Sequence, residues 1–128
     1  TNLLTLGAIL KDMGDYDRAE HYYRIMLEDS NVDIDQMELA ELYNNLGCVL
    51  GRKGAHHLAF ETYEKALDIY LQDGAKPRPS AFASLYNNMG LACFDLAEYE
   101  EALKAYTVAL DVMQKYIHDD HSGFATIY

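Results

Sequence analysis

The sequence has no tryptophan, only two prolines and two cysteines, and few basic residues. Pro77 and Pro79 both lie in one short segment, so the rest of the chain is free of the residue that most strongly breaks helices. Half of the 128 residues are apolar, which is enough for a continuous core. Together with abundant Ala, Leu, Glu and Tyr, this composition predicts an all-α chain.

The shortage of basic residues also limits the partners. Ten Lys and Arg against 21 Asp and Glu give a formal net charge of −11. Binding to nucleic acid requires clustered Lys and Arg, so the composition argues against it. No apolar run approaches the ~20 residues that a membrane-spanning helix needs. We therefore expect neither a nucleic-acid nor a membrane partner.

The two cysteines do not form a motif. Cys48 and Cys93 are far apart in the sequence and belong to no Cys-x-x-Cys pair. Isolated cysteines on apolar helices are usually small buried hydrophobic residues. We expect two free thiols in a reducing compartment, which favours a cytoplasmic location.

Motifs for catalysis are missing as well. The chain has no Gly-rich phosphate loop, no Gly-x-Ser-x-Gly elbow and no His-Glu-x-x-His helix. The run from His118 to His121 has two imidazoles and two carboxylates, but no third ligand segment is evident. A junction loop with capping aspartates is the favoured interpretation. We predict no enzymatic activity, no metal and no cofactor.

One pattern occurs three times, with its glycines spaced by 40 and then 43 residues. The copies read Leu3-x-x-Leu6-Gly7-x-x-Leu10, then Ala19, Tyr23 and Met26; Tyr43-x-x-Leu46-Gly47-x-x-Leu50, then Ala59, Tyr63 and Ala66; and Tyr86-x-x-Met89-Gly90-x-x-Cys93, then Ala102, Tyr106 and Ala109. Each copy predicts a first helix that packs against a second helix at the glycine.

These residues resemble the tetratricopeptide repeat, whose first helix carries a large residue, Leu-Gly and a further apolar residue. The long period resembles the kinesin light chain group, with Tyr43-Asn44-Asn45-Leu46-Gly47 as the helix motif and Asp120-His121-Ser122 at a junction. The resemblance implies a helical solenoid of three antiparallel helix pairs, with no sheet. It also implies that the chain binds another protein.

The pattern divides one domain, 1–128, into repeats of about 1–33, 34–75, 76–117 and a partial fourth from 118 to 128. Predicted helices cover about 1–13, 16–29, a third from an N-cap at Asp33 to Lys53, then 56–71, 80–96 and 99–117. A short seventh helix is expected near Ser122. Because the chain begins and ends inside a repeat, we expect it to be a piece of a longer protein.

In tetratricopeptide folds the first helices line a concave groove, so the resemblance implies that one stripe of each first helix faces a ligand there. The three stripes end in Asp12, Arg52 and Asp95. The predicted groove residues are Asn45, Asn88, Asn44, Asn87, Lys11, Arg52, Cys48 and Leu91. An Asn amide both donates and accepts, which matches the backbone of an extended peptide. The alternative is that the Asn side chains are solvated or bond to an adjacent helix. Pockets for partner side chains are expected at Leu4, Ala8, Cys48 and Leu91.

The predicted function is a protein–protein interaction module, an adaptor or scaffold that holds a peptide or protein segment in this groove. The alternatives are structural self-association through exposed repeat ends and an intramolecular regulatory segment of a larger protein. Pulling down partners with an Asn45 and Asn88 double variant would separate these functions.

Overall fold

The computed structural model describes residues 2–29, 31–72 and 74–120, and these ranges contain six α-helices and no strand. The helices are α1 (Asn2–Asp12), α2 (Tyr16–Glu28), α3 (Gln36–Arg52), α4 (His56–Tyr70), α5 (Pro79–Asp95) and α6 (Tyr99–Asp120). The predicted all-α helical repeat is confirmed. The expected helix near Ser122 lies outside the described residues.

The helices form three hairpins, because α1 packs on α2, α3 on α4 and α5 on α6. Further contacts join α2 to α3 and α4 to α5. The first helices of the hairpins also touch each other, α1 with α3 and α3 with α5. Within the described ranges, the second helices make no such contact. The array is therefore closer on the side of the first helices, which makes that side the inner one.

A left-handed residue closes each hairpin turn. Gly14 has φ +84°, Gly54 has φ +91° and Ala97 has φ +61°. In each turn the next residue donates its backbone N–H to a carbonyl five residues back, as from Ala55 to Leu50 at 2.9 Å. Glycine adopts this conformation readily, whereas Ala97 is strained there.

Two helix ends differ from the sequence prediction by more than one residue. The N-cap of α3 is Asp35, which makes a capping box with Glu38, so the prediction of Asp33 was wrong. Asp35 is the N-cap because two reciprocal hydrogen bonds hold it there. Its side chain accepts from the Glu38 backbone N–H at 2.8 Å, and the Glu38 carboxylate accepts from the Asp35 backbone N–H. The second difference is that α6 continues to Asp120, past the expected end at residue 117. The first glycine after that point is Gly123, so no helix breaker ends α6 earlier.

The repeated glycines lie at helix–helix contacts, as the sequence predicted. Each one faces the tyrosine ring of the paired helix, and an added Cβ would overlap that ring. The three pairs are Gly7 with Tyr23, Gly47 with Tyr63 and Gly90 with Tyr106. The missing side chain thus makes room for an aromatic ring at the centre of each hairpin.

The core runs along the array between the two layers of helices. Its largest fully buried side chains are Tyr23, Leu42, Leu85 and Val49. Leu42 and Leu85 lie beside the predicted packing stripe. Their burial follows from the position of α3 and α5, which pack against their own second helices and also against the preceding ones.

Candidate functional site

The inner surface of the first helices holds a solvent-open cavity of about 670 Å³. Residues from all three first helices and from the starts of α2 and α4 line it. Five of the eight predicted groove residues are among them: Lys11, Cys48, Arg52, Asn88 and Leu91. We call this surface the groove.

The remaining predicted residues lie elsewhere. Asn44 and Asn45 line a second hollow of about 380 Å³, with Glu41 and the Lys76–Ser80 segment that leads into α5. Asn87 is exposed and lines neither cavity. The structure therefore distributes the paired asparagines over three different environments.

Two side-chain hydrogen bonds that involve three of the asparagines link neighbouring first helices. Asn88 Nδ2 donates to Asn44 Oδ1 at 2.8 Å, which joins α5 to α3. Lys11 Nζ donates to Asn45 Oδ1 at 3.3 Å, which joins α3 to α1. The bonding to an adjacent helix that the sequence left as an alternative is thus present. In the groove, these bonds leave the Asn88 carbonyl oxygen as an acceptor for a partner.

The floor of the groove contains a thiol beside a tyrosine. Tyr63 Oη donates to Cys48 Sγ at 3.5 Å, and Cys48 is half-buried. Burial raises the pKa of the Tyr63 phenol, so it remains a neutral donor. Cys93 is also a free thiol, and burial raises the pKa of this second thiol as well.

Charged side chains gather at the end of the groove where the first helices finish. Asp12, Arg52 and Asp95 all line the cavity, and each stands five residues after the repeated glycine of its helix. His56 Nδ1 lies 3.6 Å from Asp95 Oδ2. The repeat pattern had already set all three on the stripes expected to face a ligand, but it named only Arg52 as a binding residue.

The predicted pocket residue Leu4 is not available to a ligand. Leu4 is 6 % exposed and belongs to the core cluster, so its prediction was wrong. Ala8 is half-buried, whereas Leu91 is 48 % exposed and offers an apolar contact. The apolar part of the groove is thus centred on α5.

The comparisons with known proteins agree with this architecture. A family model described as Tetratricopeptide repeat matches residues 1–72, and a second model with the same description matches residues 83–112. The chain belongs to the tetratricopeptide repeat family. A comparison with curated proteins finds no match.

Tetratricopeptide repeats are in general protein–protein interaction modules, and the family is typically non-catalytic. In this tetratricopeptide chain, the groove lies on the inner surface of the first helices. None of its described helices combines the length and the apolarity needed to span a membrane.

Proposed function

We propose that this chain is an adaptor or scaffold module that holds an extended peptide or protein segment in the groove. One observation carries the proposal. Five side chains that the sequence pattern selects from three separate repeats line a single open cavity. The cavity volume of about 670 Å³ lies in the range of pockets that enclose ligands.

The chemistry of the groove suits a peptide. Leu91 supplies an apolar contact, while the carbonyl oxygen of Asn88 can accept a hydrogen bond from a peptide backbone. Each such hydrogen bond contributes about 0.5–1.5 kcal/mol net. This supports binding in the micromolar range, near −8 kcal/mol, without any cofactor. The two free thiols favour the cytoplasm as its location.

Selection from a random peptide library displayed on phage tests the proposal. Peptides selected on the parent chain are measured against Leu91→Arg, which fills the groove with a charged side chain. Leu58→Arg is the control, because Leu58 is similarly exposed but lies on the second helix α4. Loss of binding to Leu91→Arg alone is the expected result. Equal binding of all selected peptides to both variants would exclude the groove as the binding site.

A second candidate function is self-association through α6. Leu103, Tyr106 and Leu110 are 68 %, 38 % and 57 % exposed. The residues at the same repeat positions of α4 are Phe60, Tyr63 and Leu67, which pack into the core beneath α5. The three α6 residues thus form an apolar stripe of the kind that a further helix covers in the preceding repeats. A second copy of the chain would bury this stripe.

Sedimentation velocity over a range of concentrations tests this second candidate. The parent chain is expected to self-associate as concentration rises, and Leu110→Lys to remain monomeric. Leu58→Lys should behave as the parent because Leu58 lies outside the stripe. A parent chain that stays monomeric at the highest concentration would contradict self-association through α6.

A further inference from the structure

Three charged residues occupy one position in successive repeats, and their sign alternates. Asp12, Arg52 and Asp95 each follow the repeated glycine by five residues, at or beside the ends of α1, α3 and α5. All three are exposed, and all three line the same cavity. We call this set the charge ladder.

The charge ladder has few ion-pair partners in the part of the chain that the structure describes. Among the described residues, neither Asp12 nor Arg52 makes an ion pair. The basic atom paired with Asp95 is His56 Nδ1 at 3.6 Å, which carries charge only when the imidazole is protonated. The neighbouring Lys11 donates to Asn45 instead.

Several basic side chains outside the groove have acidic partners. Arg18 pairs with Asp15 at 2.7 Å, Arg24 with Glu20 at 2.7 Å and Lys104 with Glu101 at 3.3 Å. These pairs lie within single helices or their caps. Lys53 likewise pairs with Asp17 and Glu20 of α2. Asp12 and Arg52 have no such partner among the described residues, so their charges are available to a bound segment.

The spacing of the ladder suits one peptide conformation. The first helices contact one another, and axes of packed helices lie about 8–10 Å apart. A polyproline II helix has three residues per turn and rises about 3.1 Å per residue, so every third side chain returns to one face after about 9 Å. Side chains at every third position of such a segment would therefore contact successive residues of the charge ladder.

We propose that the groove selects a polyproline II segment with a basic, an acidic and a basic side chain at every third position. The central acid pairs with Arg52, and the flanking bases pair with Asp12 and Asp95. The partner is thus a proline-rich, otherwise unfolded protein segment whose charge order complements the ladder. This inference rests on the proposed binding of a segment in the groove.

Synthetic peptides test the charge order by fluorescence anisotropy at low salt, where exposed charges are least screened. The matched peptide is Lys-Pro-Ala-Glu-Pro-Ala-Lys. The control peptide has the same composition with both lysines adjacent at one end, so that net charge cannot explain a difference. The matched peptide is expected to bind about tenfold more tightly, which corresponds to the sum of several exposed ion pairs. Equal affinity for the two peptides would overturn the proposal.

A charge reversal at Arg52, the central residue of the charge ladder, tests its pairing separately. Arg52→Glu should reverse the preference between Glu and Lys at the centre of the matched peptide, as a coupled pair requires. Lys104→Glu makes the same change in net charge outside the groove and should leave that preference unaltered. An unchanged central preference in Arg52→Glu would overturn the pairing of Arg52 with an acid.

The phage selection separates this inference from the proposed function. Selected peptides that require Leu91 but lack the alternating charge order would support segment binding and overturn the ladder. Absence of any peptide that requires Leu91 would overturn segment binding and the ladder together.

Discussion

At the scale of single residues, the repeated glycines are placed beneath aromatic rings. Within α3, Gly47 faces the ring of Tyr63, whereas Gly51 has only the Ala59 methyl group nearby. Two glycines one turn apart on the same helix therefore have different roles. Gly47 makes room for the Tyr63 ring. At Gly51 an added Cβ would lie at ordinary van der Waals distance from the Ala59 methyl group.

Replacing Gly47 with Ala should destabilise the chain by about 1–3 kcal/mol, because the new methyl group forces the Tyr63 ring to move. The matched control is Gly51→Ala, whose Cβ would lie 3.8 Å from the Ala59 Cβ. This control should be neutral or stabilising by up to about 1 kcal/mol, since Ala is the better helix former. Urea denaturation of both variants checks the pair. Equal stability of the two variants would contradict the packing described here.

The asparagines show what a residue pattern can and cannot reveal. Their recurrence placed them on the inner helices, and Asn88 does line the groove. The pattern could not reveal that Asn88 bonds to Asn44 while Asn45 bonds to Lys11. Those bonds depend on the relative positions of neighbouring helices, which the sequence of one helix does not specify. Removing Asn88 would therefore also remove a link between α3 and α5.

At the scale of helices, the capping box fixes the start of α3. Asp35→Ala should cost about 1 kcal/mol, because it leaves the Glu38 backbone N–H without its acceptor. Asp33→Ala is the control, since Asp33 is exposed and precedes the cap. Thermal unfolding followed by circular dichroism should show a lower Tm for the first variant only. A lower Tm for Asp33→Ala would instead support the N-cap expected from the sequence.

Ion pairs connect α2 to the end of α3. Lys53 Nζ lies 2.9 Å from Glu20 Oε1 and 2.7 Å from Asp17 Oδ1. The hydrogen bond from Lys53, with a further one from Arg24, lowers the pKa of the Glu20 carboxyl below its usual value. Since the folded pKa is depressed, Glu20 stabilises the fold above the unfolded value of about 4.3. That contribution is lost as the pH falls through the folded pKa.

Glu20→Gln should therefore lower stability at pH 7 and have little effect at an acidic pH below the folded pKa of Glu20, where the parent carboxyl is itself protonated. Glu28→Gln on the same helix serves as the control, because Glu28 is exposed and makes no ion pair among the described residues. Urea midpoints at the two pH values provide the measurement. A deficit of Glu20→Gln that persists unchanged at low pH would contradict the ionic origin.

Helix positions were largely predictable because turn chemistry and apolar spacing act locally. Gly14 and Gly54 ended helices where expected. The end of α6 was less predictable, since no glycine or proline interrupts residues 117–120. The sequence also allowed either Asp33 or Asp35 as the N-cap of α3. The reciprocal hydrogen bonds between Asp35 and Glu38 make Asp35 the cap.

At the scale of the whole molecule, the three-fold repetition predicted stacked hairpins and an inner layer of first helices. It did not predict the cavity, which needs side chains from three repeats to converge on one volume. The repeat pattern set Asp12 and Asp95 on stripes expected to face a ligand, and the structure shows that both line this one cavity. The apolar stripe on α6 was also recognised only in the structure, because its residues are exposed whereas the equivalent residues of α4 are packed in the core.

Protection of Cys48 from alkylation tests the central claim, that a partner occupies the groove. Cys48 is half-buried and lines the groove, whereas Cys93 is buried between α5 and α6 and serves as an internal control. A selected peptide at about 90 % occupancy should slow alkylation of Cys48 about tenfold, because only the free fraction reacts. Mass spectrometry would show that slowing together with an unchanged rate at Cys93. An unchanged rate at Cys48 with the peptide fully bound would contradict binding in the groove.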